Sequence, residues 1–254
     1  MIKLAMLLKR KKGMSFEEFD RYWSGPHADL LLSVPNFTRH VRRYCQSHVI
    51  DPSYGGEGLK WPKADFDGIA EVWFDSIDDM NRAFSEPEFV EKVGSDDLNF
   101  VDRESVTTII TEELEKIAPN GEAGVKLSVA MRRRPGMSFE DFDNHWTHNH
   151  WELITSVPEF TRHLRRYVQC HLVPEYAAAD SGNEFHSAWG KAKFDGLAEL
   201  YFDDVPSMVA AFNEPKFLEV IGPDDGRYTD IPRTELLTVR EVDIIAPRQK
   251  TAVN

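Results

Sequence analysis

The chain carries one sequence pattern twice, and this repetition restricts its fold more than any other feature. Gly-Met-Ser-Phe-Glu at residues 13–17 returns at residues 136–140, and Phe-Thr-Arg-His at residues 37–40 returns at residues 160–163. Both pairs are 123 residues apart, whereas the two later Phe-Asp-Gly tripeptides are 128 residues apart, which places five extra residues in one loop of the second copy. The chain is therefore a tandem duplication of one domain.

The duplication divides the 254 residues into two units, which we assign to residues 1–119 and 120–254. Each is close to the usual size of a domain with one hydrophobic core, ~100–150 residues. Hydrophobic periodicity predicts the order βαββαβ in each unit, which is an α+β ferredoxin-like arrangement. Both helices of such a unit cover one face of its sheet, so the other face needs a partner. We therefore predict two ferredoxin-like repeats packed sheet to sheet as an internal pseudo-dimer.

Short local patterns predict the individual elements. Ser15 and Glu18 form a capping box at the start of the first helix, and residues 77–93 form the second helix of the first repeat. Apolar runs and alternations predict the strands: residues 2–9, 37–49, 66–74 and 105–115 in the first repeat, and residues 125–132, 160–173, 194–202 and 234–245 in the second.

The composition argues against several classes of function. A formal net charge of −13 does not suit binding to nucleic acid or to anionic membranes, both of which attract basic surfaces. Two cysteines, out of register between the repeats, indicate a reducing compartment, and we expect a cytoplasmic protein. The apolar N-terminal residues are too few for a membrane span and match a strand of the second repeat. We expect a small-molecule substrate, and a monomeric pseudo-dimer or a homo-oligomer of it.

A row of polar side chains marks the second strand of each repeat. One alternation of that strand is polar and identical in the two copies: Thr38, His40, Arg42, Tyr44, Gln46 and His48, repeated as Thr161, His163, Arg165, Tyr167, Gln169 and His171. A covered sheet would leave such groups unsatisfied unless they line a cavity, although the outer members could reach solvent at the strand ends. Glu71 and Glu199 on the third strands would join a buried ion-pair network or act as tuned acid–base groups. We expect the row to line the cleft between helices and sheet, with the space between the sheets as the alternative.

Two histidines are the catalytic candidates. His27 follows Trp23 by four residues, and His150 follows Trp146 by four, so each lies on the helix stripe that faces the sheet. Imidazole exchanges protons near neutral pH, which makes both histidines candidate general acid–base groups, whereas the alternative is a hydrogen-bonded core histidine. Further histidines close to His150 have no counterpart in the first repeat, so we do not expect a metal site.

Two long loops carry aromatic residues. Residues 51–64 contain Tyr54 and Trp61, and residues 174–193 contain several more, which is typical of lids over small-molecule sites, although disorder is the alternative. The different loop lengths predict two non-identical pockets, and the longer loop favours the pocket of His150.

Several motifs resemble the EthD family of dimeric α/β-barrel proteins. They are Lys-Gly-Met-Ser-Phe-Glu-Glu-Phe leading to Trp23 and His27, the pair Arg43-Tyr44 with Gln46 and His48, and Asp-Gly-Ile-Ala-Glu-Val-Trp-Phe-Asp at residues 67–75. The resemblance covers most of both repeats and implies an intramolecular dimeric α/β barrel. It also implies a relation to muconolactone isomerases, cofactor-free monooxygenases, and polyketide cyclases and decarboxylases, which commonly act on small aromatic or lactone substrates without a metal. Most such relatives have one domain and dimerise, whereas this chain fuses two.

These observations support three hypotheses. The first is a lyase, decarboxylase or isomerase without a cofactor, which acts on a small aromatic, phenolic or lactone metabolite and uses His27 or His150 to move a proton. A cofactor-free monooxygenase would use the same pocket and would consume oxygen, and the third hypothesis is a noncatalytic binding or accessory protein of an oxygenase system. The expected substrate-binding residues are Trp23, His40, Arg42, Tyr44, His48, Glu71, Trp146, His163, Arg165, Tyr167, His171 and Glu199.

Overall fold

The computed structural model describes residues 1–51, 53, 56, 58–173 and 193–248. The first repeat contains strands β1 (Ile2–Leu8), β2 (Val41–Val49), β3 (Gly68–Phe74) and β4 (Thr107–Ile117), and helices α1 (Phe16–Tyr22), α2 (Ala28–Leu32), α3 (Pro35–Thr38), α4 (Ile77–Ser85) and α5 (Gly94–Phe100). The second contains β5 (Val125–Met131), β6 (Arg166–Leu172), β7 (Gly196–Phe202) and β8 (Glu235–Ile245), and α6 (Phe139–Asn144), α7 (Trp151–Thr155), α8 (Pro158–Thr161), α9 (Val205–Phe212) and α10 (Gly222–Tyr228). Short π-helical turns precede α2 (Trp23–His27), α5 (Phe89–Val93), α7 (His145–His150) and α10 (Phe217–Ile221).

The strands of both repeats close into one antiparallel barrel. Their order around the barrel is β1-β3-β2-β8-β5-β7-β6-β4. Two of the pairings join the repeats: β2 with β8, where His48 lies opposite Arg240, and β4 with β6, where Thr111 lies opposite Leu172. The predicted α+β class and the two ferredoxin-like repeats are confirmed, and the two sheets also share their edges.

Strand alternation divides the side chains between two environments. One set packs against the helices and forms a separate apolar core in each repeat, which includes Phe19 and Phe74 in the first and Phe142 and Phe202 in the second. The other set points into the barrel, where residues such as Leu7 form a third apolar cluster. No helix within the described ranges is long and apolar enough to cross a membrane.

The predicted starts of the second strands are wrong. Residues 35–38 and 158–161 form the short helices α3 and α8, because proline fits the first position of a helix and begins each one. The strands consequently begin at Val41 and Arg166. A β-bulge between Val41 and Arg43 then turns Arg42 out of the predicted row.

The second predicted helix is also interrupted. Helix α4 ends at Ser85, and Glu86 has extended backbone angles because a residue before proline disfavours the helical conformation. The capping box at the start of α1 is confirmed: Ser15 Oγ accepts from the Glu18 amide at 3.1 Å, and the Glu18 carboxylate accepts from the Ser15 amide at 2.8 Å.

Candidate active site

Each repeat has a cavity between its helices and its sheet. The cavity of the first repeat, the first cleft, is lined by residues that include Trp23, His27, Tyr44, Asp97 and Phe100. The corresponding second cleft is lined by residues that include Trp146, His150, Tyr167, Asp225 and Tyr228. Each cavity has a volume of about 40 Å³, room for only a few water molecules, so a substrate requires the lining side chains to move.

The helix before each cleft orients a tryptophan and a histidine toward the sheet. Trp23 and His27 begin and end a π-helical turn, and their exposed fractions are only 1% and 5%. Turns of this kind often occur at functional sites in helices. The ring of Phe100 lies 4.7 Å from the ring of His27 and completes this wall of the first cleft.

In the first cleft, His27 lies between two neighbouring aspartates of α5. Its Nδ1 is 2.9 Å from Asp96 Oδ2, and its Nε2 is 3.9 Å from Asp97 Oδ1. Asp96 also accepts a hydrogen bond of 2.6 Å from the Tyr22 hydroxyl. Although burial opposes ionisation, the hydrogen bonds from Tyr22 and His27 hold the pKa of Asp96 below its usual value. An ionised Asp96 binds the Nδ1–H tautomer of His27 and leaves Nε2 with a free lone pair on the side of Asp97.

Burial shifts the pKa values of His27 and Asp97, beside the first cleft, in opposite directions. Burial lowers the pKa of His27, and the neighbouring Asp96 only partly offsets this effect. Burial raises the pKa of Asp97 to about 7, with an opposing contribution from Arg103. Near neutral pH, His27 is therefore a neutral base and Asp97 holds a proton for much of the time. A pair of groups shifted apart in this way is a candidate acid and base.

The tyrosine at the base of each cleft is an oriented hydrogen-bond donor. The hydroxyl oxygen of Tyr167 accepts from Trp146 Nε1 and from Gln169 Nε2, both at 3.2 Å. In the first repeat Gln46 Nε2 donates to the Tyr44 oxygen at 3.1 Å, and Trp23 donates to it as well. Because these N–H groups use the lone pairs of the oxygen, the hydroxyl proton remains available to a ligand in the cleft. Burial raises the pKa of Tyr44, which keeps this proton in place.

The histidine at the far end of each polar row supports that tyrosine indirectly. Gln46 Nε2 also donates to the Trp23 carbonyl at 2.9 Å, so the amide oxygen of Gln46 must face His48, 3.1 Å from its Nε2. His48 Nδ1 is 2.6 Å from Asp20 Oδ1, so both ring nitrogens face acceptors. In the second repeat, His171, Gln169 and Asp143 repeat the arrangement.

The second cleft has the same histidine and aspartates but a different cationic neighbour. His150 Nδ1 is 3.0 Å from Asp224 Oδ2, and His150 Nε2 is 3.6 Å from Asp225 Oδ1. His145 Nε2 lies 3.0 Å from the same oxygen of Asp224. The ammonium group of Lys60, which belongs to the first repeat, forms an ion pair with Asp225.

Of the twelve residues of the predicted row, only Tyr44 and Tyr167 line a cleft, so His48 and His171 do not. Four of the others lie at the strand ends. Arg42 Nε donates to Asp75 and Arg165 Nε donates to Asp203, each at 2.7 Å. The other two pair with glutamates near the ends of α4 and α9: His40 Nε2 is 3.6 Å from Glu86, and His163 Nε2 is 2.9 Å from Glu214. The late strand starts and the bulge place these four side chains at the strand ends, which is the alternative stated for the outer members of the row.

Glu71 and Glu199 lie inside the barrel and not in the clefts. Lys3 Nζ is 2.9 Å from Glu71 and 2.7 Å from Glu199, while Lys126 Nζ is 2.6 Å and 3.2 Å from the same two carboxylates. All four side chains are at most 1% exposed. Burial and the adjacent Glu71 raise the pKa of Glu199, whereas the attraction of Lys126 and Lys3 outweighs burial and lowers the pKa of Glu71. The buried ion-pair alternative thus describes these residues.

Two groups of potential metal ligands also lie in the barrel: Cys45, Glu71 and Glu241, and Glu113, Cys170 and Glu199. An ammonium group already lies beside the carboxylates of each group. Lys126 Nζ is 2.8 Å from Glu241, and Lys3 Nζ is 3.3 Å from Glu113. The lysines therefore supply the positive charge that these carboxylates need.

Sequence reasoning missed the aspartates of the clefts and the lysines of the barrel. Asp96-Asp97 returns as Asp224-Asp225 at the spacing of 128 residues, and Lys3 returns as Lys126 within an otherwise apolar strand. In both cases charged residues occupy equivalent positions in buried elements of the two repeats, and this recurrence was the sequence signal that could have identified them. The lid expected from residues 174–193 lies, apart from Lys193, outside the described residues, and so does Tyr54.

The closed barrel of two ferredoxin-like repeats defines the class of the protein as a dimeric α/β barrel built within one chain. A model of the EthD domain matches residues 11–104 and 134–232, one match in each repeat. The chain therefore belongs to the EthD family.

Other similarities extend over different parts of the chain. The dehydratase ustZ of Ustilaginoidea virens is 22% identical over 116 residues, which cover 44% of this chain and 79% of that protein. An anthrone oxidase-like protein of known structure has a TM-score of 0.57 and 13% identity over 98% of this chain and 95% of that chain. Chlorite dismutase from Candidatus Nitrospira defluvii has a TM-score of 0.51 and 8% identity over 94% and 90%. At these identities the two structures support the fold alone.

Proposed function

We propose that this protein is an enzyme that moves protons within small, largely apolar carbonyl or phenolic compounds, in the simplest case as a lyase that eliminates water. The observation that carries the proposal is the pair of His27 and Asp97 in the first cleft. A neutral imidazole with a free Nε2 lies beside a carboxyl whose pKa is about 7, so a base and an acid coexist near neutral pH.

The geometry supports a complete cycle for the elimination of water from a β-hydroxy carbonyl compound. His27 Nε2 removes the proton from the carbon next to the carbonyl, while the Tyr44 hydroxyl donates a hydrogen bond to the developing enolate oxygen. Asp97 then gives its proton to the departing hydroxyl, which leaves as water. The proton held by His27 returns to Asp97 across the 3.9 Å that separates Nε2 from Oδ1, which restores both groups.

Two further observations favour a substrate of this kind. Apart from the acid–base groups and Tyr44, the first cleft is lined mainly by apolar residues such as Leu31, Phe37, Phe84 and Val93. The similarity to a dehydratase extends over roughly one repeat and agrees with an elimination, although isomerisation would use the same groups. Decarboxylation would need only Tyr44 and a proton donor.

The test is turnover of β-hydroxy aryl ketones and hydroxylated lactones by the parent protein and by His27→Gln and His150→Gln variants. Loss of an acid–base group should lower turnover on the order of 10²- to 10³-fold in at least one variant. If both variants react at the parent rate per folded molecule, the histidines are core residues. Oxygen uptake would indicate the monooxygenase alternative, and binding with no turnover would indicate the accessory role.

A further inference from the structure

A segment of the first repeat reaches the second cleft. Residues 58–64, here called the strap, follow β2 and run beside β8, where the Leu236 amide donates to the Pro62 carbonyl at 3.0 Å and the Ala64 amide donates to the Leu236 carbonyl at 2.8 Å. The strap carries Lys60 and Trp61 into the second repeat. These backbone bonds fix the strap to the barrel, so its side chains are parts of the second cleft.

Lys60 gives the second cleft a charge balance that differs from that of the first. Its ammonium group pairs with the Asp225 carboxylate, which is only 4% exposed, and also donates to the Gly222 carbonyl at 2.7 Å. In the first cleft the corresponding Asp97 is under the influence of Arg103, whose attraction does not outweigh burial. At the spacing of 128 residues, the position equivalent to Lys60 is Ala188. The second repeat therefore encodes no lysine at that position.

Two hydrogen-bond donors of the second cleft are available to a ligand. Trp61 lines the cavity, is 9% exposed, and its Nε1 is buried without an acceptor among the described residues. The Tyr167 oxygen already accepts from Trp146 and Gln169, so its proton is also free. Most other lining residues are apolar. Such a cavity suits an apolar ligand with a carbonyl oxygen that accepts both hydrogen bonds.

We propose that the second cleft binds an apolar carbonyl compound without converting it, because the ammonium group of Lys60 pairs with Asp225 at the place where the first cleft has its proton donor, Asp97. Turnover then belongs to the first cleft. The inference rests on the proposed function for the difference in turnover, whereas binding to the second cleft stands on its own. Lys60 is a positioning residue that acts through Asp225.

Several charged and titratable groups of the described residues lie close to Asp225. Besides Lys60, they include His150 on the neighbouring helix, the adjacent Asp224, and the hydroxyls of Tyr228 and Tyr167. Tyr228 stands where the first cleft has Phe100, and Ile231 stands where the first repeat has Arg103, so Lys60→Ala removes the lysine charge while these two differences remain. The change from Lys60 to alanine also copies the residue that the second repeat has at the equivalent position.

The first experiment compares His27→Gln with the double variant His27→Gln, Lys60→Ala, using the β-hydroxy aryl ketone that the parent protein converts fastest. The single variant should lose turnover by on the order of 10²-fold or more, and the double variant should regain at least about tenfold. The regained activity should vanish when His150→Gln is added. A double variant no faster than the single one overturns the inference.

The second experiment needs no turnover and uses coumarin, an apolar aromatic lactone, as the probe. Titration calorimetry of the parent protein should show binding that weakens about tenfold in both Trp61→Phe and Tyr167→Phe. Coumarin affinity that is unchanged in both variants overturns the binding site. If the parent protein converts no substrate but coumarin binding depends on these two residues, the proposed function fails and the second cleft remains a binding site.

Discussion

At the scale of single residues, the behaviour of Asp97 follows from its burial. Its exposed fraction is 7%, and the neighbouring His27 is itself held neutral by burial. The folded protein therefore binds the proton of Asp97 more tightly than the unfolded chain does. A group of this kind contributes its full stability at pH values below the unfolded pKa, and that stability is lost as pH rises to the folded pKa.

This reasoning gives a prediction for Asp97→Asn, which replaces the carboxyl by a neutral group of the same shape. The pKa of Asp97 rises from 3.8, its ordinary value, to about 7 in the folded protein. Between pH 5 and pH 8, the unfolding free energy of the parent should therefore fall by roughly 2–3 kcal/mol relative to that of the variant. Urea unfolding at the two pH values measures the difference. Turnover should fall on the order of 10²-fold at neutral pH and by less at pH 8, where most of the parent's Asp97 is already ionised.

The matched control for that variant is Asp225→Asn. It removes the ion-pair partner of Lys60, whose side chain is 29% exposed and can be hydrated, so its effect on the unfolding free energy should be about 1 kcal/mol or less at both pH values. A stability difference between Asp97→Asn and the parent that does not change with pH would show that the carboxyl is ionised throughout this range.

At the scale of elements, the clefts depend on how closely the π-helical turns approach the third strands of the repeats. A Cβ atom at Gly68 would lie 2.5 Å from the ring of Trp23 and 3.1 Å from the Ser47 carbonyl, and a Cβ atom at Gly196 would lie 2.7 Å from the ring of Trp146. Only glycine allows each tryptophan ring to approach its strand this closely and to form the wall of the cleft.

We therefore predict that Gly68→Ala and Gly196→Ala each lower the unfolding free energy by about 1–3 kcal/mol. The two variants should differ in function, because the first displaces Trp23 from the first cleft and the second displaces Trp146 from the second. Gly68→Ala should reduce turnover per folded molecule, and Gly196→Ala should reduce coumarin binding. Equal effects of both variants on turnover would mean that both clefts convert substrate.

The elements also show which features the sequence could predict. The duplication, the βαββαβ order and the placement of Trp23 and His27 depend on local periodicity, which two copies make easy to recognise. The bulge at Arg42 depends on pairing with β3, so strict alternation gave a wrong row. Asp96 and His27 are 69 residues apart in the sequence and come into contact through the packing of two helices. No local sequence pattern predicts that contact.

At the scale of the whole molecule, the barrel needs both repeats. Strand β8 forms backbone hydrogen bonds with the free edge of β2, and β6 does the same with β4. The carboxylate of Glu71 takes one ammonium partner from its own repeat, Lys3, and one from the other, Lys126. Each isolated repeat would expose two strand edges and half of an ion network that is otherwise buried.

Expression of residues 1–120 alone should therefore give a homodimer or an aggregate. Sedimentation velocity over a range of concentrations measures this directly, and the full chain is the control because it contains both partners of every strand edge. A soluble and folded monomer of residues 1–120 would contradict the role assigned to the shared edges.

The joining of both repeats in one chain also affects how the two clefts can diverge. When a barrel is assembled from two identical subunits, any change of codon alters both of its clefts at once. Here a single codon alters one cleft and spares the other, as Lys60 opposite Ala188 illustrates. Because both repeats are encoded in one chain, differences between the two clefts can be inherited.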